Sequence, residues 1–196
     1  MSNQNFVAAT TQIVRVLYEH SAINVKGQFC NGWEYRCRNL IDELAYFTVE
    51  NGATVFVCHL AEARKFCKFS EAAWSLVKNE EPSLYLRASK GKIHGEHVVP
   101  ISLVKKILFE MLRDDCSDDE ISRMLSNLVE VAFITKQEKN LLDLSSKNGG
   151  YGLKTSMPQG WDEQVTAYNF MQANCYARLD FAGIKIAQET VNNSIR

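Results

Sequence analysis

Along most of the chain the apolar residues recur at helical spacing. Phe6, Ile13, Val14, Val16 and Leu17 share one face of a segment from Asn5 to His20. Tyr35, Leu40, Ile41, Leu44 and Ala45 do the same between Trp33 and Val49. A third helix is expected from His59 to Val77, after the apolar run 54-TVFVCHL-60, which either begins it or forms a strand. Pro82 in 79-NEEPS-83 ends that regime, because proline cannot occupy a helix interior. The segment 83-SLYLRASKGKIHGEHVV-99 then reads as two short extended pieces around a Ser-Lys-Gly turn. After Pro100, 101-ISLVKKILFEMLRDD-115 returns to helical period. Ser117 and Glu120 form a capping box for a helix over 118–128. The β-branched run 129-VEVAFIT-135 predicts a strand. Thr135 is placed as N-cap of a helix over 136–144, with Glu138 in its first turn. The Gly-rich stretch 147–161 leads to a last helix from Asp162 to about Phe181, with Met157 and Trp161 anchoring a docking turn before it.

This order predicts an α+β chain, mostly helical, as a single domain over 1–196. It has an N-terminal helical part (1–80), a strand–helical insert–strand–helix core (84–145) and a C-terminal loop and helix (146–196). Three prolines and ten glycines in 196 residues fit such a chain with few sharp breaks. No apolar run reaches the roughly 18–20 residues needed to span a bilayer. The N-terminus lacks the basic and apolar regions of a secretory signal, so a cytoplasmic location without membrane association is expected. The six cysteines show no CxxC and no zinc-ribbon spacing, and reduced, largely buried thiols follow from that expectation. A formal net charge of -1 supplies no global attraction to nucleic acid, so any such contact must come from a local cluster.

The candidate chemistry centres on Glu96-His97 in 92-KIHGEHVVPIS-102. Neighbours on a regular strand point to opposite faces, so the two serve one centre only where the strand ends, and Pro100 marks that end. A carboxylate there suits a divalent cation, and the adjacent histidine suits a general base near neutral pH. A second ligand would come from Glu138 or Asn140 in 134-ITKQEKNLL-142, and oxygen ligands favour magnesium or manganese. His94, two residues before Glu96, shares its strand face and reads as an exposed histidine.

The E-H-V-V-P stretch resembles the D/E-H-I/V-x-P signature of HNH (ββα-metal) endonucleases. The later I-T-K-Q-E-K-N resembles the strand-to-helix stretch of the HNH domain in RNA-guided CRISPR nucleases. The resemblance covers residues 84–145. It implies a small ββα-metal core carrying a helical insert, with Glu96 as metal ligand and His97 as base. Asn140, with Glu138 as its competitor, would complete a site for a divalent metal, foremost magnesium, with manganese, nickel or zinc as alternatives. The family's asparagine that orients the histidine would fall on Asn127 or Glu130.

The function implied is metal-dependent hydrolysis of DNA phosphodiester bonds, with a dimer favoured for cutting a duplex. Arg87, Lys90, Lys92, Lys136 and Lys139 would hold the DNA backbone. The alternative from another class is a non-catalytic DNA-binding or protein-interaction module that keeps the HNH-like fold.

Overall fold

A computed structural model describes residues 4–20, 32–50, 53–86, 92–161 and 173–188. The protein is α+β and mostly helical. In order, the elements are α1 (Gln4–Glu19), α2 (Trp33–Leu44), β1 (Phe47–Glu50), β2 (Ala53–Phe56), α3 (Leu60–Phe66), β3 (Lys68–Phe69) and α4 (Glu71–Val77). Then come β4 (Ile93–His97), α5 (Ile101–Arg113), α6 (Asp118–Leu128), β5 (Val131–Thr135), α7 (Lys136–Asp143) and α8 (Ala177–Phe181). No helix among the described residues is long and apolar enough to cross a membrane.

The centre of the fold is β5. It pairs antiparallel with β4, Ile93 opposite Thr135 and His97 opposite Val131, and parallel with β3. All five residues of Val131–Thr135 are buried, as expected of a strand covered on both faces. Alternate side chains feed two cores. Ala132 and Ile134 pack with Val14, Ile41, Leu108, Met124, Leu125 and Leu142 on the side of α1, α2, α5, α6 and α7. Val131 and Phe133 pack with Leu60, Phe69, Ala73, Val77 and Ile93 on the side of α3 and α4. Full burial of each such Ile or Phe stabilises the fold by about 1.5–3 kcal/mol, so β5 ties the two halves together.

The helix starts are set locally. Ser117 Oγ accepts Glu120 N–H, and the Glu120 carboxylate accepts Ser117 N–H at 2.8 Å, which completes the expected capping box. Thr135 caps α7 in the same reciprocal way with Glu138.

Several expectations change. The helix expected to reach Val49 ends at Leu44, and 47–50 pairs with 53–56 as a hairpin. The alternation of aromatic and β-branched residues in 47-FTVENGATVF-56 around Asn-Gly is a hairpin pattern, and it overrides the helical period. The expected helix over 59–77 is split. Phe69 stacks on Phe133 with ring centroids 5.1 Å apart, which draws Lys68–Phe69 into the sheet. Ser70 then caps a new helix by accepting Ala73 N–H. Of the two extended pieces expected in 83–99, the second is β4, while the first, among the described residues, makes an isolated bridge between Tyr85 and His59. Of the helix expected over 162–181, the described far end is α8, Ala177–Phe181. Residues 162–172 lie outside the described residues, and 173–176 is a bend and turn in which Asn174 Oδ1 accepts Tyr176 N–H. Met157 and Trp161 are both buried, as a docking turn requires. β3 joins β5, so the part up to residue 80 shares a sheet with the strands of the 84–145 segment.

Candidate functional site

The end of β4 positions two side chains with different surroundings. His97 Nε2 lies 2.7 Å from Asp42 Oδ1, on the last turns of α2. The Tyr46 ring meets the imidazole edge-on, at 6.4 Å between centroids. Gly95 makes room for Tyr46: a Cβ there would lie 2.7 Å from the phenol oxygen. Burial pushes the Tyr46 phenol up to about 12, so it stays protonated at neutral pH. The hydrogen bond from His97 is the main cause that holds the Asp42 carboxyl below the usual carboxylate range. An ionised Asp42 favours the proton on Nε2 and leaves Nδ1 as the basic nitrogen of His97.

Glu96 faces the other way. One of its oxygens accepts a hydrogen bond from the Arg178 guanidinium, which is fully buried. The other lies 3.2 Å from His94 Nε2, so His94 does share its strand face. Arg178 also donates to the carbonyls of His97 and Leu153. Leu153 N–H in turn donates to the Leu142 carbonyl at the end of α7. Burial alone would raise the Glu96 carboxyl, but the bonds from His94 and Arg178 outweigh it and hold it low.

Glu138 and Asn140 do not join this pair. Thr135 pairs with Ile93, four residues from His97, a separation of about 13 Å along a strand. Glu138 is held at that far end: its Oε2 accepts Thr135 N–H and the Ser70 hydroxyl, each at 2.7 Å. Asn140 is exposed. As arranged, these residues do not fit a shared divalent cation. Both Glu96 oxygens have cationic or imidazole partners, and Glu138 is engaged as a helix cap.

The orienting partner of His97 is neither of the residues expected for it. Asn127 sits in the last turn of α6, where its carbonyl accepts from Cys175 Sγ, and Glu130 pairs with Lys68 at 3.3 Å. Asp42 takes that place from 55 positions upstream, and nothing local in the sequence marks it. The predicted basic contacts divide. Lys92 is paired with Glu80 and Lys139 with Asp143, while Lys136 is exposed. Arg87 and Lys90 lie outside the described residues.

A cavity of about 360 Å³ is lined among others by Asp42, Tyr46, Cys58, Tyr85, His94 and Gly95. Among the described residues, one group of three has donor atoms close enough for a metal ion: Cys58, His59 and Glu62. Compared with protein-family models, curated proteins and solved structures, the chain has no match, so no relative bears on this site.

Proposed function

We propose that this chain hydrolyses DNA phosphodiester bonds, with His97 as the general base. The observation that carries the reading is the 2.7 Å contact between His97 and Asp42 at the end of β4, in a strand–insert–strand–helix order. Asp42 stabilises the imidazolium that forms when His97 takes a proton from water, and it keeps the ring in one tautomer. Tyr46 packs against the ring and limits its rotation. Asp42 and Tyr46, the two side chains that meet the His97 ring, line the 360 Å³ cavity, which is the nearest recess for a substrate.

The test is nicking of supercoiled plasmid by the full chain, with magnesium, manganese, nickel or zinc and with a chelator. His97→Ala should lower the cleavage rate about 10²–10⁴-fold, the usual share of a general base. Asp42→Asn should lower it less and shift its pH profile. Cleavage that survives His97→Ala overturns the assignment of the base, and absence of cleavage under every condition overturns the hydrolase.

One observation favours a second reading, a non-catalytic DNA-binding or protein-interaction module. The carboxylate beside His97 is closed by buried Arg178, which leaves no metal ligand next to the histidine. Under this reading DNA or a protein is bound, and His97→Ala leaves that binding unchanged.

A further inference from the structure

The segment 58-CHLAE-62 carries a thiol, an imidazole and a carboxylate whose donor atoms lie within 4.8 Å of one another. Cys58 Sγ is 3.1 Å from His59 Nδ1, and His59 Nδ1 is 3.5 Å from Glu62 Oε2. Ligands in a tetrahedral zinc centre, with Zn–S near 2.3 Å and Zn–N and Zn–O near 2.0–2.2 Å, are separated by roughly 3.4–3.6 Å. The side chains therefore stand close to the spacing of a bound ion without large movement.

Two of the three are already oriented. Glu62 Oε2 accepts the His59 backbone N–H at 2.7 Å, which leaves lone pairs on the carboxylate for a cation. The His59 ring is fixed edge-on against Tyr85, 5.3 Å between centroids. The cap is reciprocal, with the His59 ring accepting the Glu62 backbone N–H. It explains His59 and Glu62, and an ion on Nδ1 would displace that N–H, but it does not explain Cys58. All three are half-buried, and Cys58 and Tyr85 also line the 360 Å³ cavity, so an ion has an approach and room for an exchangeable fourth ligand.

We infer that Cys58, His59 and Glu62 form a three-ligand site for zinc or a cation of the same class. The ligand set selects the metal. Thiolate and imidazole suit zinc and its neighbours, whereas magnesium and calcium prefer all-oxygen shells. Binding displaces the Cys58 thiol proton to solvent as Sγ becomes a ligand. The thiolate and the Glu62 carboxylate then balance the two positive charges of the ion. Three protein ligands with one open position is the arrangement of zinc sites that bind water or substrate. The inference stands apart from the His97 reading, because its test does not use DNA cleavage.

The test is titration of the reduced, metal-free full chain with Co²⁺, read by thiolate-to-cobalt charge-transfer absorption and four-coordinate visible bands. One equivalent should bind, and Zn²⁺ should displace it. Cys58→Ser should abolish the charge-transfer band, while Cys175→Ser, a half-buried thiol elsewhere, should keep it. Glu62→Gln, which retains an oxygen for the His59 N–H, should weaken binding at least roughly tenfold. Circular dichroism of each variant checks that the fold is retained. Absence of the band in the wild type, or its persistence in Cys58→Ser, overturns the site. An affinity unchanged in Glu62→Gln removes the carboxylate from it.

Discussion

Two short segments each set a histidine beside a carboxylate, 94-HGEH-97 and 59-HLAE-62. They differ in what the rest of the chain brings to them. Glu96 has a side chain only 12% exposed and lies against an Arg178 with no exposure at all, so its charge is compensated inside the protein. Glu62 is 30% exposed, and its carboxylate meets the backbone N–H and the ring of His59. The first carboxylate is closed to a cation and the second is open to one. Residue types in sequence show which chemistry a segment could support. Whether that chemistry is available depends on distant partners.

The largest effect should come from breaking the closed pair. Arg178→Ala removes the guanidinium that bonds Glu96 and the carbonyls of His97 and Leu153. Loss of one partner of a buried ion pair typically costs about 3–5 kcal/mol, and urea denaturation should show a loss of that size. Adding Glu96→Leu to Arg178→Met should restore part of it, because no uncompensated charge then remains. If Arg178→Ala costs less than about 1 kcal/mol, the typical loss for any point mutant, the pair is not closed and Glu96 is available to a metal after all.

The same pair predicts a pH signature. The Glu96 carboxyl is held below its ordinary range, so its contribution is fully present above that range and is lost as pH falls through the lowered value. Asp42 shifts in the same direction through its bond to His97, but it is more than half exposed and adds little. Wild-type stability should therefore fall on the acid side of the carboxylate range. Glu96→Gln should show a flatter acid limb in thermal melts taken across pH. An unchanged acid limb in Glu96→Gln would mean that the carboxylate is not linked to folding.

How much of this was legible in the sequence follows from the range of each interaction. The capping box at Ser117 and the N-cap at Thr135 are local and were readable, as was the strand at Val131–Thr135 with its run of buried residues. The order strand, helical insert, strand, helix was readable too. The hairpin at 47–56 was present as an alternating pattern around Asn-Gly, but the preceding helical period masked it. The break at Lys68–Phe69 depends on Phe133, more than sixty positions away, and could not be read locally. The site has the same limit. Glu96 and His97 were visible as a pair, but their partners Arg178 and Asp42 lie 82 and 55 positions away. The grouping of Cys58 with His59 and Glu62 needs only one helical turn. Its spacing was in the sequence, but it lies outside the zinc-ribbon patterns.

A smaller effect separates helix cap from metal ligand at Glu138. Its carboxylate joins the start of α7 to the Ser70 cap of α4. Glu138→Ala should cost about 0.5–2 kcal/mol, the range for losing a cap, measured by thermal or urea unfolding. Plasmid nicking with magnesium should stay at the wild-type rate. A fall in nicking without loss of stability would return Glu138 to the ligand set expected beside His97.

The smallest expected change is at Asn140. Its side chain is exposed on α7, and its backbone carbonyl accepts the Leu144 N–H, a bond that substitution leaves intact. Alanine is also a better helix former than asparagine, by a few tenths of a kcal/mol. Asn140→Ala should therefore shift stability by no more than about 0.5 kcal/mol, as exposed positions without special contacts do. It should also leave plasmid nicking unchanged. If nicking falls in this variant while its unfolding midpoint stays put, Asn140 takes part in the chemistry. The α7 helix would then have to approach His97 in the active state, and the contrast between the closed and the open carboxylate would hold only for the resting arrangement.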